Sequence, residues 1–510
     1  MKETNQLKAG VALSYLNMAI SMVIPLLYTP VMLRIMDQAE YGLYQLSSSV
    51  TGYLGLLSMG MGNAILRYLM KYHAVGDRDM FCRTAGLFQV VYGIIAGIAV
   101  LAGVVLTRFT GNLFAQGLTS FEIQKMNILL LIMAVGTGIS FLGSIYSSII
   151  YCHDRHIFMK AVGIAGTVVL PLMNLMALYM GFASVGLALI SVMLSALNQL
   201  MNAWYCSKNL RTMPRFAQIP WYMLKEILPF SLFMFISMVA DMLFWAIDKV
   251  FIGALIGTTA VAVYNIGITF QGVMQSMNGA ISGVFAPRVN SLVFSGKPIS
   301  ENSALLIRIG RIQYLLLSLI LSGFLVFGRQ FLCLWAGSGY EEAYPVALLT
   351  MIPMTVPLIQ NVAFNTILAL NRHQFRSAVY IAIAVVNAAS TYCLIPVMGI
   401  VGAALCTCVV FVIGHGIIMN WFYHKKIGLD IPAFWRNIGK MSIVPGVMIL
   451  VGILLVKYVL PMPSLWWFLA WVVVYTAIFA VLSWFFSMNR YEKDLVLGLI
   501  RKVLLRKEKE

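Results

Sequence analysis

Hydrophobic and polar positions along the chain fall into long blocks rather than short alternations. Apolar runs of about 20 residues, long enough to cross a bilayer as an α-helix, are separated by short polar segments. The pattern predicts an all-α integral membrane protein with fourteen spans. Their limits are 9–33, 43–66, 84–107, 127–151, 158–180, 184–205, 226–248, 259–286, 309–328, 345–370, 376–396, 399–423, 441–460 and 464–487.

Composition and charge placement support a membrane protein with a fixed orientation. Of the 510 residues, 61% are hydrophobic and 10% charged, whereas soluble proteins carry about 25% charged residues. With the N-terminus in the cytoplasm, 29 of the 35 Lys and Arg fall on the inner side, as the positive-inside rule requires. The net charge of +17 is therefore expected to face anionic lipid of the cytoplasmic leaflet, not nucleic acid, and both termini are predicted to be cytoplasmic.

The two halves of the chain echo each other at a nearly constant offset. The segment Tyr41-Gly-Leu-Tyr44 falls on Val261-Ala-Val-Tyr264, and Arg155-His-x-Phe158 falls on Arg372-His-x-Phe375. Each copy holds six predicted spans, so both have the same orientation in the membrane. Transporters built from parallel repeats bind substrate near the midplane and rock one half against the other.

The repeat predicts how the chain is divided. Residues 1–215 form an N-lobe with spans one to six, and residues 216–435 form a C-lobe with spans seven to twelve. Residues 436–488 add two further spans. The tail, 489–510, is basic and amphipathic, and we expect it to lie on the inner membrane surface against anionic lipid.

Charged residues in the stretch 241–288 are the first functional candidates. Asp241, Asp248 and Lys249 lie within or at the rim of predicted spans. Charges at such depths are expensive and therefore mark functional sites unless a partner accounts for them. Asp241 and Asp248 are predicted to couple transport to an ion.

Several segments resemble one family of membrane proteins. The opening TPVMLRIMDQAEYGLYQLSSSVTGYLGLLSMGMGNAILRYLMKY, then IDKVFIGALIGTTAVAVYNI and APRVNSL, are similar to bacterial oligosaccharide flippases. These form the polysaccharide transport branch of the multidrug/oligosaccharidyl-lipid/polysaccharide exporter superfamily. Trp335-Ala-Gly, Asn371-Arg372 and Val401-Gly-Ala-Ala404 extend the resemblance, which covers about residues 8–435. It implies two six-helix lobes, a central cavity and movement of a lipid-linked sugar to the outer leaflet.

Such a substrate carries an anionic phosphate or diphosphate, a polar glycan and an apolar polyprenyl tail. Arginine binds phosphate with two parallel hydrogen bonds, and cations in a polar cavity offset the phosphate charge. The predicted substrate-binding cations are Arg34, Arg67, Lys249 and Arg288. Among the neutral polar residues of spans two and eight, Asn63 and Gln271 are predicted to contact sugar.

Each candidate also has a purely structural interpretation. Arg67 and Arg288 lie where cations that set topology are common, and Arg34 either snorkels or pairs with Asp37. Asp248 and Lys249 are adjacent and could form a local ion pair. Asp241 is either an ion site or a hydrogen-bonding partner of a neighbouring helix. Neutral groups such as Asn265 and Asn278 are expected to bind other helices more often than substrate.

Three functions remain open at this point. A flippase of lipid-linked oligosaccharide for cell-surface polysaccharide biosynthesis fits the cations, whereas an ion-coupled drug exporter of the same superfamily should carry an acidic group in its first span. The first span has no acid before Asp37. A glycan-polymerising membrane enzyme is disfavoured by the short outer loops. No cofactor or metal is expected, although an H⁺ or Na⁺ gradient could drive transport. We expect a monomer in the bacterial cell membrane, in association with glycan polymerase machinery.

Overall fold

The computed structural model describes residues 3–295, 297–370, 372, 374–458 and 464–507. Within these ranges, the side chains of residues 3–16, 63, 230, 233, 237, 284, 286, 465 and 499–507 are not described. Every regular element in the described part is a helix. This confirms the predicted all-α class.

Residues Met1–Asn265 together with Ala388–Ile400 form one compact unit, called unit 1 below. Its helices, in chain order, are α1 Glu3–Ile35, α2 Gln38–Gly52, α3 Met61–Val75, α4 Arg78–Leu113, α5 Ser120–Cys152, α6 His156–Tyr179, α7 Ala183–Tyr205, α8 Leu224–Trp245 and α9 Ile247–Leu255. The first part of α10 (Thr258–Phe294) also belongs to it. Short 3-10 segments occupy Tyr53–Ser58 and Trp221–Met223, and a π-helical turn occupies Cys206–Leu210.

Residues Ile266–Asn387 and Val401–Glu510 form the other compact unit, unit 2. After the end of α10, its helices are α11 Ile299–Trp335, α12 Ala343–Ile359, α13 Asn361–Ala369, α14 Gln374–Phe411, α15 Asn420–Phe422, α16 Ile431–Met441, α17 Ile443–Tyr458, α18 Leu465–Leu482 and α19 Arg490–Lys507. A 3-10 turn, Ser338–Tyr340, and π-helical segments at Val412–Met419, Tyr423–Ile427 and Ser483–Ser487 complete it. Helices α8 and α9 follow residue 215 but belong to unit 1. The division into units therefore does not test the lobe boundary at residue 215, which stays a prediction.

Nine helices of the described chain are long and apolar enough to cross a membrane, and two bent pairs raise that number to eleven. One of the nine, Gln374–Ile427, covers the predicted eleventh and twelfth spans, with non-helical backbone at Gly399 between them. The predicted second and eighth spans are not among the eleven. The count of fourteen therefore stays a prediction.

The predicted second span is not one continuous helix. Helix α2 ends at Gly52, the chain continues as the 3-10 segment, and Met59 and Gly60 take positive φ values of 49° and 68° before α3 begins. Left-handed backbone breaks the helical hydrogen-bond ladder. The chain of the predicted span 43–66 is therefore divided between α2 and α3, and Arg67 lies on α3.

Each unit has its own hydrophobic core. In unit 1, α3, α4, α5 and α8 contribute a cluster that includes Phe81, Phe88 and Ile145, all buried. In unit 2, α11, α17 and α18 meet around Phe327, which makes edge-on contacts with Phe468 and Tyr475. The predicted thirteenth and fourteenth spans are thus packed onto α11. Because lipid is as apolar as these side chains, close packing rather than water exclusion holds such helices together.

The internal repeat is visible in matching aromatic stacks. Phe158 stacks on Tyr205 with ring centroids 3.9 Å apart, and Phe375 stacks on Phe422 with centroids 4.3 Å apart. The step from each residue of the first pair to its equivalent in the second is the same as the step from Arg155 to Arg372. The offset found in the sequence therefore relates equivalent contacts within the two units.

A polar cluster around Tyr41, Lys249 and Asn265

A close backbone approach brings the start of α10 against α2. A side chain at Gly42 would overlap the carbonyl oxygen of Thr258, so only glycine permits this spacing. The hydroxyl of Thr258 also donates to Oε1 of Glu122, at 2.6 Å. Glu122 belongs to a capping box with Thr119 at the start of α5. These contacts fix α10 beside α2 at the ends predicted to face outward.

Asn265 links Lys249 to Tyr41 within unit 1. The Lys249 ammonium donates to Oδ1 of Asn265 at 3.2 Å, and the Asn265 amide donates to the Tyr41 hydroxyl at 2.8 Å. Tyr41 is buried, with 3% of its surface exposed, and Lys249 is half-buried. The cation thus lies beside neutral polar groups as well as its sequence neighbour Asp248. Its ammonium has three donors, and Asn265 accepts from one of them.

The neighbouring acid binds a different residue. Tyr264 donates its hydroxyl hydrogen to Oδ2 of Asp248 at 2.7 Å, and both side chains are buried. The helical path breaks at Ala246, so Asp248 and Lys249 lie in the first turn of the short helix α9. Each therefore has a polar partner on α10, in addition to its neighbour in sequence.

A second polar group lines a cavity of about 630 Å³ in unit 1. Glu40 accepts from the Lys125 ammonium at 2.6 Å and from the backbone N–H of Ser184 at 3.0 Å, and it also accepts from the Ser184 hydroxyl. Burial of the Glu40 carboxyl raises its pKa, but the hydrogen bonds from Lys125 and Ser184 outweigh burial, and the net pKa is lower than usual. Glu40 is therefore ionised at neutral pH and ties α2 to α5 and α7.

Polar residues of α10 in unit 2 chiefly contact other helices. The Asn278 amide donates to the Leu358 carbonyl at 3.1 Å, and Gln313 donates to the Ser282 hydroxyl at 2.9 Å. Hydrogen bonds of this kind join membrane helices. They agree with the expectation that most such residues serve helix packing.

The structure places the predicted site residues in different settings. Lys249 and Asp248 belong to the polar cluster, and Gln271 is buried on α10 in unit 2. The exposed members are Arg34 on α1, Arg67 on α3, Asp241 on α8 and Arg288 on α10. The side chain of Asn63 lies outside the described residues. The roles assigned to these residues stay predictions.

Sequence reasoning gave no role to Tyr41, to Tyr264 or to the pair Glu40 and Lys125. Tyr41 and Tyr264 were noticed only as part of the repeat, and Asn265 only as one of several neutral polar residues. Lys249 and Asn265 lie on different helices, on either side of Gly257, where φ is 132°. No helical periodicity relates two residues across such a break, so only the folded chain shows their contact.

Comparisons with known proteins give a family and a shared fold for this chain. A family model described as polysaccharide biosynthesis protein matches residues 7–293. No protein with a curated description matches the chain significantly.

Solved structures share the fold at low sequence identity. A structure of the lipid II flippase MurJ in an inward closed conformation is 13% identical and matches with a TM-score of 0.71, over 96% of this chain and 99% of that one. An inward-facing multidrug resistance MATE family transporter of the MOP superfamily matches at 12% identity and a TM-score of 0.62, over 82% and 98%. An outward-facing structure of such a transporter has 13% identity and a TM-score of 0.57, over 86% and 99%.

Proposed function

Because the chain belongs to the polysaccharide biosynthesis protein family, we propose that it is a flippase for a polyprenyl-(di)phosphate-linked oligosaccharide. It moves this substrate from the cytoplasmic to the outer leaflet by alternating access, and so supplies cell-surface polysaccharide. The chain is a multi-pass helical membrane protein, and its family and fold support a transporter rather than an enzyme.

The ammonium of Lys249 is the observation that carries the proposal. It donates to Asn265, whose amide in turn donates to Tyr41. An ammonium carries three donors, so it can make two further hydrogen bonds. A half-buried cation gains from an added anion because screening by water is weak there. A phosphate or diphosphate group is an anion of the required kind.

The other predicted residues have roles in the same scheme. Arg34, Arg67 and Arg288 supply further phosphate contacts along the path, and Asn63 and Gln271 bind sugar hydroxyls. Asp241 and Asp248 couple transport to a proton or sodium gradient. The protein acts in a bacterial cell membrane with both termini in the cytoplasm, as a monomer associated with glycan polymerase machinery.

One observation favours a second candidate, an ion-coupled exporter of small molecules. Asp248 is a buried acid that accepts a hydrogen bond from Tyr264, and buried acids in membrane helices often carry protons. The exporter differs from the flippase in its substrate, which would be cationic or neutral rather than a phosphate.

A depletion experiment tests the flippase. Cells depleted of the protein should accumulate a lipid-linked glycan, identified by mass spectrometry of lipid extracts. A plasmid encoding the wild type should clear this intermediate, whereas Lys249→Gln should not, because the cation is lost. Lys440→Gln, which removes an exposed charge from α16, is the matched control and should clear it.

Either of two results would contradict the flippase: no lipid-linked glycan accumulates, or Lys249→Gln clears the glycan as fast as the wild type. The exporter is tested separately with Asp248→Asn. If this variant loses gradient-driven efflux of a cationic dye while the lipid-linked glycan stays at its wild-type level, the exporter replaces the flippase.

A further inference from the structure

A cationic cavity lies in unit 1 where α4 begins, away from the Tyr41 cluster. Its volume is about 490 Å³, and its lining consists of Arg78, Asp79, Cys82, Arg211, Met213, Pro214 and Arg215. Three of these seven described residues are arginine and one is aspartate. The topology predicted from the sequence puts this end of α4 on the cytoplasmic side.

The chain that follows α7 forms one wall of the cavity. The backbone N–H of Arg215 donates to the Cys82 carbonyl at 2.9 Å, and a side chain at Gly86 would overlap the Arg215 carbonyl. Arg211 has a left-handed backbone, with φ 48°, where the π-helical turn ends. The wall is thus held to α4 by backbone contacts, and the positions of its arginines are fixed at the main chain.

Local contacts orient the guanidinium groups of Arg78 and Arg215. Arg78 donates to the carbonyl oxygen of Arg211, and Asp79 accepts from both Arg83 and Arg215 at 2.6 Å. One carboxylate is therefore shared by two arginines. Arg78 and Arg211 add positive charge beyond what Asp79 offsets.

The corresponding place in the second half shows that the fold does not require these arginines. At the offset that relates the two aromatic stacks, Gly428 replaces Arg211 and Pro432 replaces Arg215. Helix α11, which corresponds to α4, begins with Ile299 and Ser300 where α4 begins with Arg78 and Asp79. The second half carries predicted cytoplasmic cations at other positions, including Lys425 and Lys440. Arg211 and Arg215 therefore have no arginine at the equivalent positions of the second half.

We propose that this cavity binds a phosphate group. Arginine pairs with phosphate oxygens through two parallel hydrogen bonds, and the cavity offers guanidinium groups already held near one another. Two sources carry this chemistry at the inner surface: the headgroup of an anionic lipid, which is abundant in that leaflet, and a soluble phosphate ester or pyrophosphate. The site is independent of the proposed flippase activity.

The test uses the full chain in phosphatidylcholine nanodiscs, with two ligands in separate arms. Inorganic pyrophosphate is titrated by calorimetry in the first arm. In the second, nanodiscs contain a minority of phosphatidylglycerol, and native mass spectrometry counts the lipid that the protein retains. The test variant combines Arg78→Gln with Arg211→Gln, which leaves the Asp79 pairs intact. The control variant combines Lys425→Gln with Lys440→Gln and removes the same charge elsewhere.

Wild type should bind at least one ligand, and the Arg78/Arg211 variant should bind it at least about tenfold more weakly, since each guanidinium removed takes away charge-assisted hydrogen bonds to phosphate. Loss in the pyrophosphate arm assigns a soluble phosphate, and loss in the lipid arm alone assigns a headgroup. The proposal is overturned if wild type binds neither ligand, if the Arg78/Arg211 variant binds like wild type, or if the control variant weakens equally. Unchanged melting temperatures establish that the variants are folded.

Discussion

The corner that follows α7 in unit 1 and the corner that follows α15 in unit 2 have nearly the same backbone. Each ends in a five-residue π-helical turn, Cys206–Leu210 or Tyr423–Ile427, and then a left-handed residue, Arg211 or Gly428. The next backbone N–H closes both turns: Thr212 donates to Cys206 at 3.1 Å, and Leu429 donates to Tyr423 at 3.0 Å. Every pair of equivalent residues in the two corners is separated by the same offset that relates the aromatic stacks.

The two corners differ in what surrounds them. After Arg211 the chain runs along α4 without forming a long helix until α8, and the arginine-lined cavity stays open. After Gly428, Asp430 caps α16 by accepting from the Ala433 N–H at 3.0 Å. Helix α16 then packs on α11, with Phe434 fully buried against Gly310. Three arginines line the cavity at the first corner, whereas a helix packed on α11 follows the second.

A buried ion pair joins α11 to the tail helix α19. Arg311 donates to Glu492 of α19 at 2.6 and 3.0 Å and to the Ser487 carbonyl at 2.8 Å, and both side chains are at most 8% exposed. The tail helix is thus fixed by a charge pair as well as by any attraction to lipid. The two corners thus share their backbone geometry, whereas the side chains and the helices that follow them differ.

The largest effect on stability should come from breaking the buried ion pair between Arg311 and Glu492. Glu492→Ala leaves the Arg311 charge buried without its carboxylate, and removing one partner of a buried pair costs about 3–5 kcal/mol. We expect a clear drop in the melting temperature of the purified protein, followed by intrinsic fluorescence. Asp494→Asn removes an exposed carboxylate from the same helix and serves as the control. Equal melting of Glu492→Ala and wild type would show that α19 does not stabilise unit 2.

A smaller loss of stability is expected when the chain at Arg215 is forced away from α4. Gly86→Val places a branched side chain against the Arg215 carbonyl, and overpacking of this kind costs about 1–3 kcal/mol. Thermal unfolding measures the loss, and pyrophosphate or phosphatidylglycerol binding should fall with it because the cavity wall shifts. The matched change Gly97→Ala, at a position with open space around its Cβ, should leave both properties unchanged. A Gly86→Val protein as stable as wild type would contradict the described wall.

The smallest effect concerns the left-handed residues themselves. Gly428→Ala should cost about 1 kcal/mol because an L-residue disfavours that backbone, and its new Cβ meets Ile299 only at 3.5 Å, an ordinary contact. Arg211→Gly should be nearly neutral, because relief of the same strain is offset by the entropy of glycine in the unfolded chain. Paired melting curves test this asymmetry. Equal losses for both variants would mean that the two corners differ in conformation.

Sequence patterns predicted much of the architecture. Apolar block lengths gave the all-α class and most spans, because a helix across lipid satisfies its own backbone hydrogen bonds within one segment. The repeat offset was also readable, and Phe158 and Phe375 later proved to stack on residues at that same offset. Breaks such as Met59 and Gly60 were missed because an apolar run looks continuous whether or not its backbone turns.

The candidate site was predicted less completely. Lys249 and Asp248 were chosen because a charge at membrane depth needs a reason, and both lie in the polar cluster. Their partners Asn265 and Tyr264 lie on the next helix, and Tyr41 lies near the start of the chain, so no local pattern could pair them. Glu40 and Lys125 are similarly distant in sequence and meet only in the folded unit.

The sequence alone determined that this is a repeated, multi-pass helical membrane protein that resembles polysaccharide transporters, because hydrophobicity and short motifs are properties of neighbouring residues. Tertiary structure alone decided which polar groups meet, as with Tyr41, Asn265 and Lys249, and which cations stay open, as with Arg78 and Arg211. The reason is physical: hydrogen bonds and charge pairs act over a few ångströms in space, and only the packing of distant helices sets those distances.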